Sequence, residues 1–339
     1  MNTQKKLVET MTWAASTDQQ VELPTAGLIT EIDLELSLTL SGAAAAALSA
    51  MGLWRAIQGL RIEGGSGRQY YSMNAGIQMG ILMHFLNMVD FPGRTWREIV
   101  ATTQTIQWKL HFGSRPFDMF GRHNPSDLTA AIPGYAETKP KLIWTPTANT
   151  ALDDTITISS GTMRVFVTEV LDGFAEWERL GRMMPVSSSE GVDPGATKDN
   201  LSFQRDIPTG KHVRRIGIMA LDATAYTSNG PLLKDDQLTE VGIFDSKRNS
   251  WLITARQQAL ALQNPLLDGM QVVDTPNTIS PFNPGGLWVV DLRKFGNPDW
   301  GLNTVGAAQG DWKLGMTIGS YASAEKEHIF YDMLERFQG

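Results

Sequence analysis

The chain has 339 residues, 36 of them acidic and 29 basic, for a net charge of −7, and it has no cysteine. Hydrophobic residues make up 42% and charged residues 19%, which is a globular composition in a length that allows two domains. Disulfide frameworks, thiolate metal sites and thiol catalysis are excluded, and direct genome coating, which calls for a basic face or arm, is disfavoured.

Met1 to Thr10 has no apolar core, so no signal peptide is read there. Lys5 and Lys6, followed by Leu7, Val8, Met11 and Trp13, mark residues 1–20 as an N-terminal arm. Such an arm is frayed or packed on a neighbouring molecule. Alternatively it forms a short amphipathic helix whose Lys5, Lys6 and Trp13 meet anionic lipid heads.

The clearest strand begins at Leu28. Ile32, Leu34, Leu36, Leu38 and Leu40 alternate with Glu31, Asp33, Glu35, Ser37 and Thr39, the two-residue period of a half-buried strand. Gly42 and the alanines to Ala47 end it. Leu60 and Ile62 close a second strand, the glycine-rich run Gly64 to Gly67 turns the chain, and Tyr70-Tyr71 start the return. The apolar run Ala75 to Val89 predicts a buried helix, capped by Ser72 or Asn74, and is too short for the roughly 18–20 residues that span a bilayer.

The second half repeats this order. Val241 and Ile243 end a strand, Asp245 to Asn249 turn it, and Trp251-Leu252 return. Thr254 with Gln257 makes a capping box that predicts a helix stopping at Asn264-Pro265. Leu60 matches Val241, Ile62 matches Ile243 and Tyr70 matches Trp251. Trp108, Leu110 and Phe112 match Trp288, Val290 and Leu292 at a nearly equal offset. Ile216, Ile218 and Ala220 answer the strand opening the first half, and Val165 to Val170 and Ile329 to Leu334 close the two halves. These matches predict a duplicated β-domain, with residues 21–180 and 200–339 as its halves. Pro185, Ser187 to Ser189, Gly191, Pro194 and Gly195 give residues 181–199 the composition of a linker. Long irregular stretches, Ser114 to Pro140 and Pro265 to Gly286, suit packing against neighbours.

Two tandem β-sandwiches, each with a helix after an early hairpin, resemble the double jelly-roll major capsid proteins. This is the lineage of adenovirus hexon and of the capsid proteins of tailless, membrane-containing bacteriophages and archaeal viruses. Trp13-Ala14-Ala15, Val21-Glu22-Leu23-Pro24, Gly27-Leu28-Ile29 with its alternating strand, and the hairpin from Gly59 to Gly64 carry the likeness, which extends from Trp13 to Phe337. The resemblance implies an all-β fold with short inserted helices, made of two tandem eight-stranded jelly-roll β-sandwiches. It implies homotrimeric, pseudo-hexagonal capsomers tiling an icosahedral shell over an internal membrane. The partners would be other copies of the chain, penton and other minor capsid proteins and the membrane lipid. No sequence-specific nucleic acid is implied. Assembly would take place in the host cytoplasm, which the lack of cysteine suits.

The residues carry no visible catalytic constellation. The histidines are His84, His111, His123, His212 and His328. No two have the three-to-five-residue spacing of a helical metal site, and no metal or cofactor is expected. His84 reads as a core histidine, and His111 faces away from Trp108, Leu110 and Phe112. Gly64-Gly65-Ser66-Gly67-Arg68 lacks the lysine of a phosphate loop and joins two strands. Asp153-Asp154, Glu176 with Glu178 and Asp235-Asp236 read as solvated turn acids. No GxSxG elbow occurs. A carbohydrate-binding or carbohydrate-active β-sandwich is the alternative, its aromatic residues stacking on sugars and its paired acids acting across a cleft. A spike or minor vertex protein is a third reading, disfavoured by the duplication.

Overall fold

The computed structural model describes residues 1–42, 47–48, 53, 56–65, 67–73, 98–99, 102–115, 122–149, 156–221, 237–255, 287–294, 296–321 and 326–338. The helices expected over Ala75–Val89 and beyond Thr254, the stretch 265–286, His84, Asp153-Asp154 and Asp235-Asp236 lie outside them. Ser72 and Thr254 themselves stand in strands.

Two compact units divide the chain, Met1–Ser188 with Leu334–Gly339, and Ser189–Met333. The first contains β1 (Thr3–Thr12), β2 (Gln19–Glu22), β3 (Leu28–Gly42), β4 (Ala47–Leu48), β5 (Ile57–Glu63), β6 (Gln69–Met73), β7 (Glu98–Ile99), β8 (Thr103–His111), β9 (Ile132–Pro133), β10 (Lys141–Pro146) and β11 (Ile156–Val170). A short helix, α1 (Phe174–Arg179), follows. Next come β12 (Met183–Val192), β13 (Lys198–Asp206), β14 (His212–Leu221), β15 (Leu238–Asp245), β16 (Ser250–Ala255), β17 (Leu287–Asp291), β18 (Leu302–Asn303), β19 (Trp312–Ile318) and β20 (Lys326–Arg336).

The first half forms one sheet in the order β1-β11-β3-β8 and a second in the order β2-β10-β5-β6. The second half forms β12-β20-β14-β17 and β13-β19-β15-β16. Strand for strand the two orders are the same, and even the short extra strands correspond, β9 on β3 and β18 on β14. Two four-stranded antiparallel sheets connected in this way make an eight-stranded jelly roll. The all-β fold expected from the sequence, two jelly rolls in tandem, is the fold observed.

Alternation explains the cores. Ile32, Leu34, Leu36 and Leu38 of β3 are fully buried, and Leu110, Trp108 and Ile106 of β8 stand opposite the first three in register. Met163, Val165 and Val167 of β11 extend the same face, and Leu60, Ile62, Leu142 and Trp144 answer from the facing sheet. Each such side chain contributes about 1.5–3 kcal/mol when it leaves water. In the second half Ile216 and Ile218 of β14 pair with Val290 and Trp288 of β17, so Trp108 and Trp288 occupy corresponding buried positions. Beneath the first roll, α1 sets Trp177 among Leu28, Leu128, Ala131 and Val170, and its indole N–H donates to the Met183 carbonyl at 2.9 Å.

Two boundaries expected from the sequence are corrected. Residues 1–20 are no loose arm or amphipathic helix, because Thr3–Thr12 is the first strand of the first roll, paired antiparallel with β11. Residues 181–199 are no linker, because Met183–Val192 is the first strand of the second roll, beside β20. The division between units falls inside β12. Both misread strands lie at the edge of their sheets, where only one side of the backbone is paired. Proline and small polar residues are tolerated there, and lysines are favoured because they discourage further pairing.

Candidate functional site

The outward face of the first sheet carries a ladder of polar pairs. Register sets Glu31 opposite His111, Asp33 opposite Lys109, Glu35 opposite Gln107, Ser37 opposite Thr105 and Thr39 opposite Thr103. Each pair is closed by its side chains: His111 Nδ1 lies 2.8 Å from Glu31 Oε1, Lys109 Nζ 3.5 Å from Asp33 Oδ1, and Gln107 Nε2 donates to Glu35 Oε2 at 2.5 Å. The two hydroxyl pairs lie at 2.7 and 3.3 Å. Directly opposed pairs of this kind fix register as well as adding stability.

At one end the ladder is covered. His111 stands on the face opposite Trp108 and Leu110, as alternation predicts, yet it and Glu31 are buried. The segment after Arg122 covers them. His123 Nε2 lies 2.6 Å from Glu31 Oε1, the Thr30 hydroxyl donates to the Pro125 carbonyl at 2.7 Å, and Asp127 Oδ2 is 3.3 Å from His111 Nε2. Asp127 is itself fixed by the Thr129 N–H, the Thr129 hydroxyl and the Arg115 N–H. A side chain at Gly113 would collide with the Asp127 carboxylate and push it out of this network.

The charges follow from this packing. Burial opposes the Glu31 carboxylate, but the His111 hydrogen bond and the positive charges of His111, Lys109 and His123 outweigh it and hold its pKa below the ordinary value. Burial likewise opposes the His111 imidazolium, and Asp127 and Glu31 overcome it, raising its pKa. His123 is lowered, by burial first and then by Lys109 and His111, against the pull of Glu31.

The second roll places a different charged group at the corresponding strands. Arg215 of β14 opposes Asp291 of β17, and Asp332 of β20 lies 2.6 Å from Arg214 and 3.7 Å from Arg215. Asp291 also holds Arg293 at 2.5 Å. Burial, with the nearby Arg293 charge, brings Arg215 down to about 9 despite Asp332 and Asp291.

The N-terminal residues singled out in the sequence are not gathered into one patch. Adjacent strand residues point to opposite faces, so Lys5 reaches Asp33 at 2.7 Å while Lys6 reaches the buried Glu169 at 3.0 Å. Trp13 packs edge-on against Trp144 with ring centres 5.6 Å apart. Gly64, Gly65 and Gly67 lie in the turn between the paired strands β5 and β6, as expected, and border an open groove of mixed charge lined by Glu9, Glu22, Glu63, Lys139 and Lys141. Sequence spacing missed the Glu31, His111 and His123 cluster because its members come from two strands and a covering segment. The one local signal is a carboxylate, Glu31, near the start of the alternating strand β3.

No protein-family model and no curated protein matches the chain. Solved structures do match, over nearly its whole length. The major capsid protein of STIV (Sulfolobus turreted icosahedral virus) is 14% identical, covering 99% of this chain and 97% of its own, with a TM-score of 0.74. The major capsid protein P2 from bacteriophage PM2 is 11% identical over 99% and 98%, with a TM-score of 0.60. PBCV-1 VP54 is 12% identical over 98% and 94%, with a TM-score of 0.58. The chain has the double jelly-roll fold of these viral major capsid proteins.

Proposed function

We propose that the chain is the major capsid protein of an icosahedral virion, with a structural rather than a catalytic role. The observation that carries this reading is the twofold use of one strand order, β1-β11-β3-β8 with β2-β10-β5-β6, over the whole chain. Three copies of a chain with two like rolls supply six like units, the number that a hexagonal tile needs. Closed point-group assembly from identical copies is the usual route to such a unit. Capsomers of this kind would contact one another, penton and other minor proteins and an internal membrane. Since Lys5 and Lys6 already have carboxylate partners, we favour contact of the N-terminal strand with a neighbouring copy over contact with lipid heads.

Light scattering on a sizing column tests the reading. A stable species of three times 37.3 kDa is expected, with hexagonal outlines in electron images. A monomer at micromolar concentration would overturn the trimeric capsomer.

A further inference from the structure

We propose that Glu31, His111 and His123 form a binding site for one divalent cation of the zinc class in the first jelly roll. One carboxylate and two imidazoles offer ligand atoms that all lie within 4.8 Å of one another. Two histidines and a glutamate are a set that zinc accepts while keeping a fourth position for water or another donor.

The surroundings suit a metal site in three respects. Glu31 and His111 sit on adjacent strands in direct register, so the sheet holds two of the three ligands rigidly. The imidazole nitrogen of His111 that faces away from Glu31 lies 3.3 Å from Asp127 Oδ2. A carboxylate there orients the ring and fixes its tautomer, as partners of metal-bound histidines do. His123 belongs to the covering segment, and its side chain is 25% exposed, so this ligand can move and the cation has a way in.

The distances define the adjustment. Glu31 Oε1 lies 2.8 Å from His111 Nδ1 and 2.6 Å from His123 Nε2, whereas donors around a tetrahedral zinc stand about 3.3 Å apart. Loading therefore separates Glu31 Oε1 from His111 Nδ1 by about 0.5 Å and from His123 Nε2 by about 0.7 Å, and the His123 segment takes up the larger shift. The competitor is Lys109, whose ammonium lies 3.3 Å from His123 Nε2 and 3.5 Å from Glu31 Oε2. It also lies 3.5 Å from Asp33 Oδ1, the carboxylate to which it turns when the cation enters.

The test uses the full chain, stripped with a chelator and titrated with Zn2+ and Co2+ at neutral pH. One equivalent per chain is expected, with a rise in Tm, a visible Co2+ absorption band and an electron spin-echo spectrum of the Co2+ form that shows imidazole nitrogen. His123→Gln should weaken binding at least about tenfold and abolish the Tm rise, while Lys109→Met should tighten it. Two results would overturn the site: no stoichiometric binding by the wild-type chain, or Co2+ without imidazole ligation. Neither needs a variant, so a misfolded substitution cannot rescue the idea. Solution mass read on the same samples separates failure of the cation site from failure of the trimer.

Discussion

Removal of the Asp332 carboxylate is the perturbation that best separates buried from surface electrostatics in this fold. Arg214, Arg215 and Asp332 have side chains less than a tenth exposed, and Asp332 meets Arg214 at 2.6 Å. Three guanidinium groups, Arg214, Arg215 and Arg293, gather around the carboxylates of Asp291 and Asp332, and Asp299 also acts on Arg293. Asp332→Ala takes from Arg214 and Arg215 the carboxylate that lies against both, in a medium that solvates their charges poorly. Loss of one partner from such a buried group destabilises by about 3–5 kcal/mol, far more than the interaction would be worth at the surface. For a unit of this size each kcal/mol moves Tm by about 2–4 °C, so a fall on the order of 10 °C is expected. Asp332→Asn keeps an oxygen for Arg214 and should lose less. The exposed pair Glu176 and Arg179 serves as control, and Glu176→Gln should leave Tm unchanged. Calorimetry and urea unfolding provide the readout. A change of under about 1 kcal/mol in Asp332→Ala would refute the reasoning, because it would mean that water or another acid solvates the arginines.

Two further outcomes follow from particular contacts. Burial, helped by Lys326, lowers the His328 pKa to about 4 from an ordinary 6.5. The folded state therefore disfavours the proton, and stability present above pH 6.5 falls as pH drops towards 4, by at most about 1.4 kcal/mol per pH unit. His328→Phe should flatten that part of the pH profile in urea melts, and an unchanged slope would contradict the assignment. Gly242 and Gly315 face each other in register, and the Trp251 ring lies across both, so that a Cβ at Gly315 would stand 2.6 Å from the ring. Gly315→Val should destabilise by about 1–3 kcal/mol, and Trp251→Ala in the same chain should recover part of that loss in a double-mutant cycle. Strict additivity of the two substitutions would count against the ring's position.

The interior of the fold was legible from the residues, and its edges were not. The central strand β3 announces itself through Ile32, Leu34, Leu36 and Leu38, because one face of it is buried along nearly its whole length. The echo of Trp108 in Trp288 likewise follows from corresponding buried positions in two copies of one topology. The strands β1 and β12 gave no comparable signal. Each is paired along one edge only, so Lys5 and Lys6 in the one and Pro185 with Ser187 to Ser189 in the other read as arm and linker.

Alternation could say that Glu31 and His111 each face away from an apolar core, and it did so for His111. It could not say that they face each other, because register between β3 and β8 is set by which apolar side chains interlock across the sheet. Nor could it bring in His123 and Asp127, which the chain returns to the site only after leaving β8. Burial pattern is local in sequence and therefore survives in the string of residues. Convergence of polar groups depends on contacts between distant segments, and only the folded chain decides it.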